Sequence, residues 1–85
     1  MKKVVWMTGK IYHVKEFAEI IRHDQWRNPF CEKIDNRQYM EDTKRYYETS
    51  FMTKHIDASK IRTDNEESFV RSLAEIDEVL ILLDE

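Results

Sequence analysis

The sequence contains only one glycine, one proline and one cysteine in 85 residues, and this scarcity excludes several kinds of structure and site. A single cysteine, Cys31, excludes an internal disulfide and a zinc site built on cysteines. A single glycine excludes a glycine-rich phosphate loop, and the nucleotide-binding and hydrolase motifs are absent. Few connections can need a positive φ, so we expect short loops between helices and strands. The lone thiol fits a reducing compartment, and we expect a cytoplasmic protein.

Long apolar runs are also missing. The longest, residues 79–83, has five residues, whereas a bilayer span needs about 18. The apolar stretch at residues 4–7, behind two lysines, is too short for a secretory signal. Hydrophobic residues still make up 41% of the chain, which is enough for a core. We therefore expect one soluble domain over residues 1–85.

Apolar spacing predicts the main elements. The continuous apolar runs at residues 4–7 and 79–83 predict strands, with a turn at Gly9 after the first. Apolar residues at helical spacing from Ile11 to Ile21 predict a helix, although residues 11–13 could instead pair back on residues 4–7 as a hairpin. Residues 54–62 are ambiguous and could form a short strand at 55–57 followed by a turn around 58–60.

Two further helices are predicted from capping signatures. Asp35 is followed three residues later by Gln38, which predicts a helix running to about residue 52. Thr63 and Glu66 form a Thr-x-x-Glu capping box. The helix that it opens carries an apolar stripe, made of Phe69, Val70, Leu73 and Ile76.

These elements predict an α/β or α+β fold. A small sheet of two to four strands is built on the N- and C-terminal strands, which lie side by side, and about three helices pack on it. A sheet this small leaves edges or a face open, and a homodimer is one way to close them.

The charges are unevenly distributed. Residues 64–85 contain one arginine and eight acids, a net charge of −7, whereas residues 1–63 have a net charge of +4. This asymmetry favours a partner with a basic surface. The alternative is that acids simply collect near helix N-termini, where they complement the helix dipole.

No residues form a catalytic or metal-binding signature. His55 and Asp57 are spaced to share a metal if they lie in a strand, but no third ligand is identifiable. Cys31 lacks a local nucleophile signature and is interpreted as structural. Adjacent acids on a helix diverge by about 100° and cannot face each other as an acid–base pair. We expect no enzyme activity, no cofactor and no metal.

Aromatic side chains are concentrated in residues 26–51. Tyr39 and Phe51 are assigned to the core, whereas Tyr46 and Tyr47 are helix neighbours, so at least one is exposed. The loop at residues 26–30 places the apolar bulk of Trp26 and Phe30 beside the guanidinium of Arg27. Trp, Tyr and Arg dominate energetic hot spots at protein interfaces.

Residues 12–18, Tyr-His-Val-Lys-Glu-Phe-Ala, resemble the first helix of excisionase-like helix-turn-helix proteins, where a capping residue precedes Val-Lys-Glu. This resemblance covers about ten residues and implies DNA binding as the alternative function. The basic residues it would use are Lys2, Lys3, Lys10, Arg22, Arg27, Arg37, Lys44 and Arg45.

The leading hypothesis is a small non-enzymatic protein that binds another protein as a regulator or inhibitor. Its composition resembles that of small proteins of AT-rich bacteria and their phages. The expected contacts are the exposed aromatics and the acidic C-terminal segment, with a homodimer as a further expectation. The candidate partner-binding residues are Trp26, Arg27, Phe30, Tyr46, Tyr47, Glu75, Asp77, Glu78, Asp84 and Glu85.

Overall fold

Three antiparallel strands and three helices make up the fold that the computed structural model describes over residues 1–26, 34–51 and 55–85, with only the backbone at Trp26. The sheet order is β2-β1-β3, so the N- and C-terminal strands are neighbours, as predicted. The fold is therefore α+β. The elements are β1 (Lys2–Trp6), β2 (Ile11–Val14), α1 (Phe17–Trp26), α2 (Asn36–Thr49), a 3₁₀ turn (Ala58–Lys60), α3 (Glu66–Glu75) and β3 (Val79–Asp84).

The chain folds back after β1 as a hairpin, which confirms the second of the two expectations for residues 11–13. Gly9 has φ 97°, and its N–H donates to the carbonyl of Trp6 at 2.8 Å. Tyr12 and Val14 point into the core, whereas Ile11 and His13 are exposed. Burial therefore alternates every second residue, as in a strand. Helix α1 begins only at Phe17.

The core lies between the inner face of the sheet and the three helices. Val4 and Trp6 of β1 are buried in the same core cluster as Ile20 of α1 and Phe69 of α3. The apolar stripe predicted for α3 is confirmed, since Phe69, Val70 and Leu73 are fully buried. Helix α2 contributes one buried residue, Met40. Burying this apolar surface is the main force that holds the helices on the sheet.

The start of α2 is confirmed and the start of α3 is corrected. Asp35 caps α2, and its carboxylate accepts from the Gln38 N–H at 2.8 Å. The prediction that Thr63 caps α3 is wrong. Asn65 is the N-cap, and its side-chain oxygen accepts from the Ser68 N–H at 2.8 Å. Thr63, Asp64 and Asn65 can all serve as N-caps, and the one directly before the helix does so.

Helix α3 ends in a Schellman motif without glycine. The Asp77 N–H donates to the Ala74 carbonyl at 3.2 Å, and the Glu78 N–H donates to the Leu73 carbonyl at 2.9 Å. Asp77 takes the left-handed conformation, with φ 63°. Glycine usually occupies this position because it has no Cβ. Asp77 therefore has a structural role in turning the chain into β3.

Three expectations between the end of α2 and the start of α3 are wrong, whereas the turn expected around residues 58–60 is confirmed. The strand at residues 55–57 does not form, because the Asp57 carboxylate accepts from the Ser59 N–H at 3.2 Å and caps the 3₁₀ turn. Helix α2 ends at Thr49, earlier than predicted. Phe51 lies beyond this end and is 79% exposed, so its assignment to the core is also wrong.

Candidate functional sites

The face of the sheet that points away from the helices is apolar. Val5 pairs with Ile11 on one side and with Leu80 on the other, so these three side chains form one row across the sheet. Their chain neighbours Val4 and Trp6 face the core. Leu80 is 57% exposed, and Ile11 is exposed to a similar degree. We call Val5, Ile11, Leu80 and the equally exposed Leu82 the outer sheet surface.

A polar row lies beside the outer sheet surface. Lys3 pairs with His13 and with Leu83, so a lysine and an imidazole flank the apolar row. An irregularity between Lys3 and Val4 shifts the register of β3 at this point. Bulges of this kind increase local twist and disturb the pairing of an edge strand.

A cavity of about 730 Å³ opens at another place, between the β1–β2 turn, the end of α1 and the length of α2. Four of its walls are aromatic rings, and we call it the aromatic cavity. The described residues that line it are Trp6, Met7, Thr8, Lys10, Asp24, Gln25, Ile34, Tyr39, Asp42, Thr43, Tyr46, Tyr47 and Glu78.

Asp24 organises the polar wall of the aromatic cavity. Its side chain is only 8% exposed, and one carboxylate oxygen accepts from Lys10 Nζ at 2.7 Å and from the Tyr12 hydroxyl at 2.6 Å. The other oxygen accepts from the Tyr39 hydroxyl. Three donors from three elements therefore converge on one carboxylate, which joins the hairpin to α1 and α2.

The protonation of these groups follows from burial and from their partners. Burial alone would raise the pKa of Asp24, but the hydrogen bonds from Lys10, Tyr12 and Tyr39 together lower it below its ordinary value of 3.8. Burial and the neighbouring Asp24 charge raise the pKa of Tyr39. Burial and the charge of Glu78 likewise raise the pKa of Tyr47. At neutral pH the carboxylate is charged and both phenols are neutral.

Trp6 forms part of the cavity wall with an unsatisfied donor. Its side chain is buried, and Nε1 has no hydrogen-bond acceptor among the described residues. Lys10 Nζ lies 5.2 Å from the centre of the Trp6 ring, within the range of a cation–π contact. A buried N–H without an acceptor costs about 1–3 kcal/mol.

Two tyrosines and two further carboxylates also line the cavity. Tyr46 and Tyr47 meet edge to face, with ring centres 5.8 Å apart. The Tyr47 hydroxyl donates to Glu78 at 3.3 Å, and Gln38 Nε2 donates to Asp42 at 2.8 Å. The expectation that at least one tyrosine is exposed is confirmed, since Tyr46 is 55% exposed.

Three of the ten predicted partner-binding residues meet in the aromatic cavity, namely Tyr46, Tyr47 and Glu78. Trp26 is the last residue of α1, and only its backbone is described. Arg27 and Phe30 lie outside the described residues, so their predicted role as contacts stays a prediction.

The remaining acidic candidates are dispersed and partly neutralised. Asp84 is bound by Lys2 at 3.0 Å and by Arg71 at 2.7 Å, at the opposite end of β3 from Glu78. Glu75 pairs with Arg62 at 3.2 Å. Asp77 ends α3, and Glu85 follows β3. These acids do not form one continuous surface with the aromatic cavity.

Several other sequence features can now be placed. Tyr12, His13 and Val14 of the excisionase-like segment lie in β2, and Phe17 is the first residue of α1. No group of three metal-ligating side chains occurs within residues 1–26, 34–51 and 55–85. In the same part of the chain, no helix is long and apolar enough to cross a membrane.

Sequence reasoning missed Asp24 and Trp6 as parts of a site, and it assigned Lys10 only to the DNA-binding alternative. A signal for Asp24 was present, since it lies four residues after Ile20 and three after Ile21, on the apolar face of α1. An acid on such a face needs partners, because a buried charge is costly unless it is paired. Comparison of the chain with protein-family models, curated proteins and solved structures gives no match.

Proposed function

We propose that this chain is a small, cytoplasmic, non-enzymatic protein that binds another protein as a regulator or inhibitor. The observation that carries the proposal is the outer sheet surface. A sheet covered by helices on one face exposes a row of aliphatic side chains on the other, where Leu80 and Ile11 are more than half exposed. Contiguous apolar patches on small proteins mark interaction sites.

The shape of this surface favours a protein as the ligand. The cross-strand row of Ile11, Val5 and Leu80 presents its apolar side chains on the outer face of the sheet, and none of the three lines the aromatic cavity. Small molecules bind in concave sites, whereas protein interfaces have apolar centres with polar rims. Lys3 and His13 provide such a rim on one side.

The acidic C-terminal segment contributes less than its net charge implies. Asp84 and Glu75 are held by Lys2, Arg71 and Arg62. Surface pairs of this kind reduce the charge that a basic partner would experience. The proposed contact is therefore apolar at its centre, and we expect its affinity to depend only weakly on salt.

The experiment compares capture of partners by wild type with capture by the double variant Leu80→Thr/Leu82→Thr. Threonine keeps the preference for a strand, and both leucines are about half exposed, so the variant folds. Phe51→Gln is the matched control, because it changes an exposed apolar residue that belongs neither to the outer sheet surface nor to the aromatic cavity. Bacterial lysate is applied to each immobilised protein, and bound proteins are identified by mass spectrometry.

The expected result is a protein that wild type and Phe51→Gln retain and the double variant loses. Light scattering on the same samples shows whether this partner is a second copy, since the chain alone has a mass of 10.4 kDa. Equal recovery by all three proteins would contradict the sheet as the contact surface. A salt-sensitive mobility shift of duplex DNA, without protein capture, would favour the DNA-binding alternative instead.

A further inference from the structure

The aromatic cavity is separate from the outer sheet surface, since none of Val5, Ile11, Leu80 and Leu82 lines it. We infer that the aromatic cavity is a binding site for an arginine side chain of a partner protein. This site goes beyond the proposed contact through the sheet. It rests on the charge, the aromatic walls and the volume of the cavity.

The charge of the cavity selects a cation. Among the described residues that line it, the carboxylates of Asp24, Asp42 and Glu78 outnumber the single ammonium of Lys10. Lys10 is already paired with Asp24. Asp42 and Glu78 accept from neutral donors, and neither forms an ion pair with a described residue. The remaining negative charge attracts a cation and repels phosphate or carboxylate.

The walls of the cavity select a flat cation. Aromatic rings attract cations to their faces, and Lys10 over Trp6 shows that a cation is accommodated here. A guanidinium is planar, stacks on aromatic rings and is more weakly hydrated than an ammonium. Its five N–H donors can also serve two carboxylates together, and Asp42 and Glu78 line the same cavity.

The volume of the cavity indicates that main chain accompanies the side chain. About 730 Å³ is within the range of ligand pockets and exceeds the volume of one arginine side chain. The cavity therefore has room for peptide backbone beside the guanidinium, and the ligand is an arginine within a peptide.

The test is an NMR titration of the full chain with N-acetyl-arginine methylamide. The readout is the indole N–H resonance of Trp6, assigned by comparison with Trp6→Phe. We expect a saturable shift with a dissociation constant on the order of 1 mM, as for a small fragment of an interface. The lysine analogue should bind at least about threefold more weakly, and the glutamine analogue should not saturate.

Variants connect the shift to the cavity. Asp42→Asn and Glu78→Gln should each weaken binding about threefold, and the two together about tenfold. Glu48→Gln is the matched control, because Glu48 is exposed on α2 and does not line the cavity. Tyr46→Leu, at a half-exposed residue, provides a second variant if Glu78→Gln disturbs the fold, and it should also weaken binding about threefold.

Three outcomes would overturn the inference. The first is no saturable Trp6 shift up to about 50 mM arginine analogue. The second is equal affinity for the lysine or glutamine analogue, and the third is unchanged affinity in the double variant. None of these depends on the sheet. Leu80→Thr/Leu82→Thr should bind the arginine analogue as wild type does, so failure of the proposed function and failure of this site are distinguishable.

Discussion

Replacing Asp24 by asparagine should destabilise the protein and make its stability less dependent on acid pH. Asn has nearly the same shape as Asp but has one acceptor oxygen and no charge. Lys10 would lose its ion pair. Either the Tyr12 or the Tyr39 hydroxyl would face the amide NH2, which donates and cannot accept its hydrogen bond. A packing defect is not introduced, so the loss reports the polar contacts.

The size of the effect follows from the burial of the two charges. Removing one partner of a fully buried ion pair costs about 3–5 kcal/mol. Asp24 is almost fully buried, but the Lys10 side chain is 31% exposed and can turn toward solvent. Screening therefore reduces the expected loss to about 2–3 kcal/mol at pH 7. With an m value of about 1 kcal/mol/M, the urea midpoint falls by about 2–3 M.

The pH dependence identifies the cause. The pKa of Asp24 is lowered in the folded protein, so its contribution is complete above the ordinary value of 3.8 and is lost as pH falls through the lower folded pKa. The difference between wild type and Asp24→Asn should thus be constant from pH 7 to about 5. It should then shrink as the pH falls below 3.8.

Urea unfolding followed by circular dichroism at several pH values measures both quantities. Asp64→Asn is the matched control, because Asp64 is exposed just before α3, and its effect should stay within about 0.5 kcal/mol. A loss below about 1 kcal/mol at pH 7 would refute the role of the Asp24 contacts. A loss that is the same at pH 3 and pH 7 would refute the contribution of the charge.

Three further substitutions test the backbone and the core by urea unfolding. Gly9→Ala should lower the free energy of unfolding by about 1 kcal/mol, because Gly9 has φ 97°. Nothing lies within 4 Å of the added Cβ, so a steric clash would not explain the loss, and unchanged stability would contradict the backbone argument. Asp77→Gly should raise the free energy of unfolding by about 0.5–1 kcal/mol, since Asp77 has φ 63° at the end of α3, and a loss would show that its side chain contributes more than its conformation costs. Ser72→Ala should cost about 1–2 kcal/mol, because the buried hydroxyl accepts from the Arg62 N–H at 3.0 Å and donates to the Phe69 carbonyl at 2.8 Å; Ser72→Cys should recover little of that loss if hydrogen bonding is the cause.

Local patterns in the sequence determined the frame of the fold. The apolar segments at residues 4–7 and 79–83 predicted neighbouring strands, and the stripe of Phe69, Val70 and Leu73 predicted the buried face of α3. The Asp35 cap is equally local, because its side chain bonds to a backbone N–H three residues away. Such features depend only on near neighbours in the chain, so the sequence is sufficient to reveal them.

Tertiary structure decided the choice between helix and hairpin at residues 11–14. The apolar spacing of Ile11 and Val14 fits a helix as well as a strand end, and pairing with Val5 and Lys2 resolves the ambiguity. It also decided which residue caps α3, since Thr63 and Asn65 are both good caps by sequence. The exposure of Phe51 could not be predicted from the sequence either, because it depends on α2 ending at Thr49.

The candidate sites themselves are products of tertiary structure. Asp24 receives donors from Lys10, Tyr12 and Tyr39, which are 12 to 15 residues away, and no local pattern encodes that convergence. The outer sheet surface exists because both neighbours of β1 place their apolar residues in register with Val5. The sequence by itself determined that strands so apolar would form, while the packing of helices on one face alone decided that the other face would be exposed.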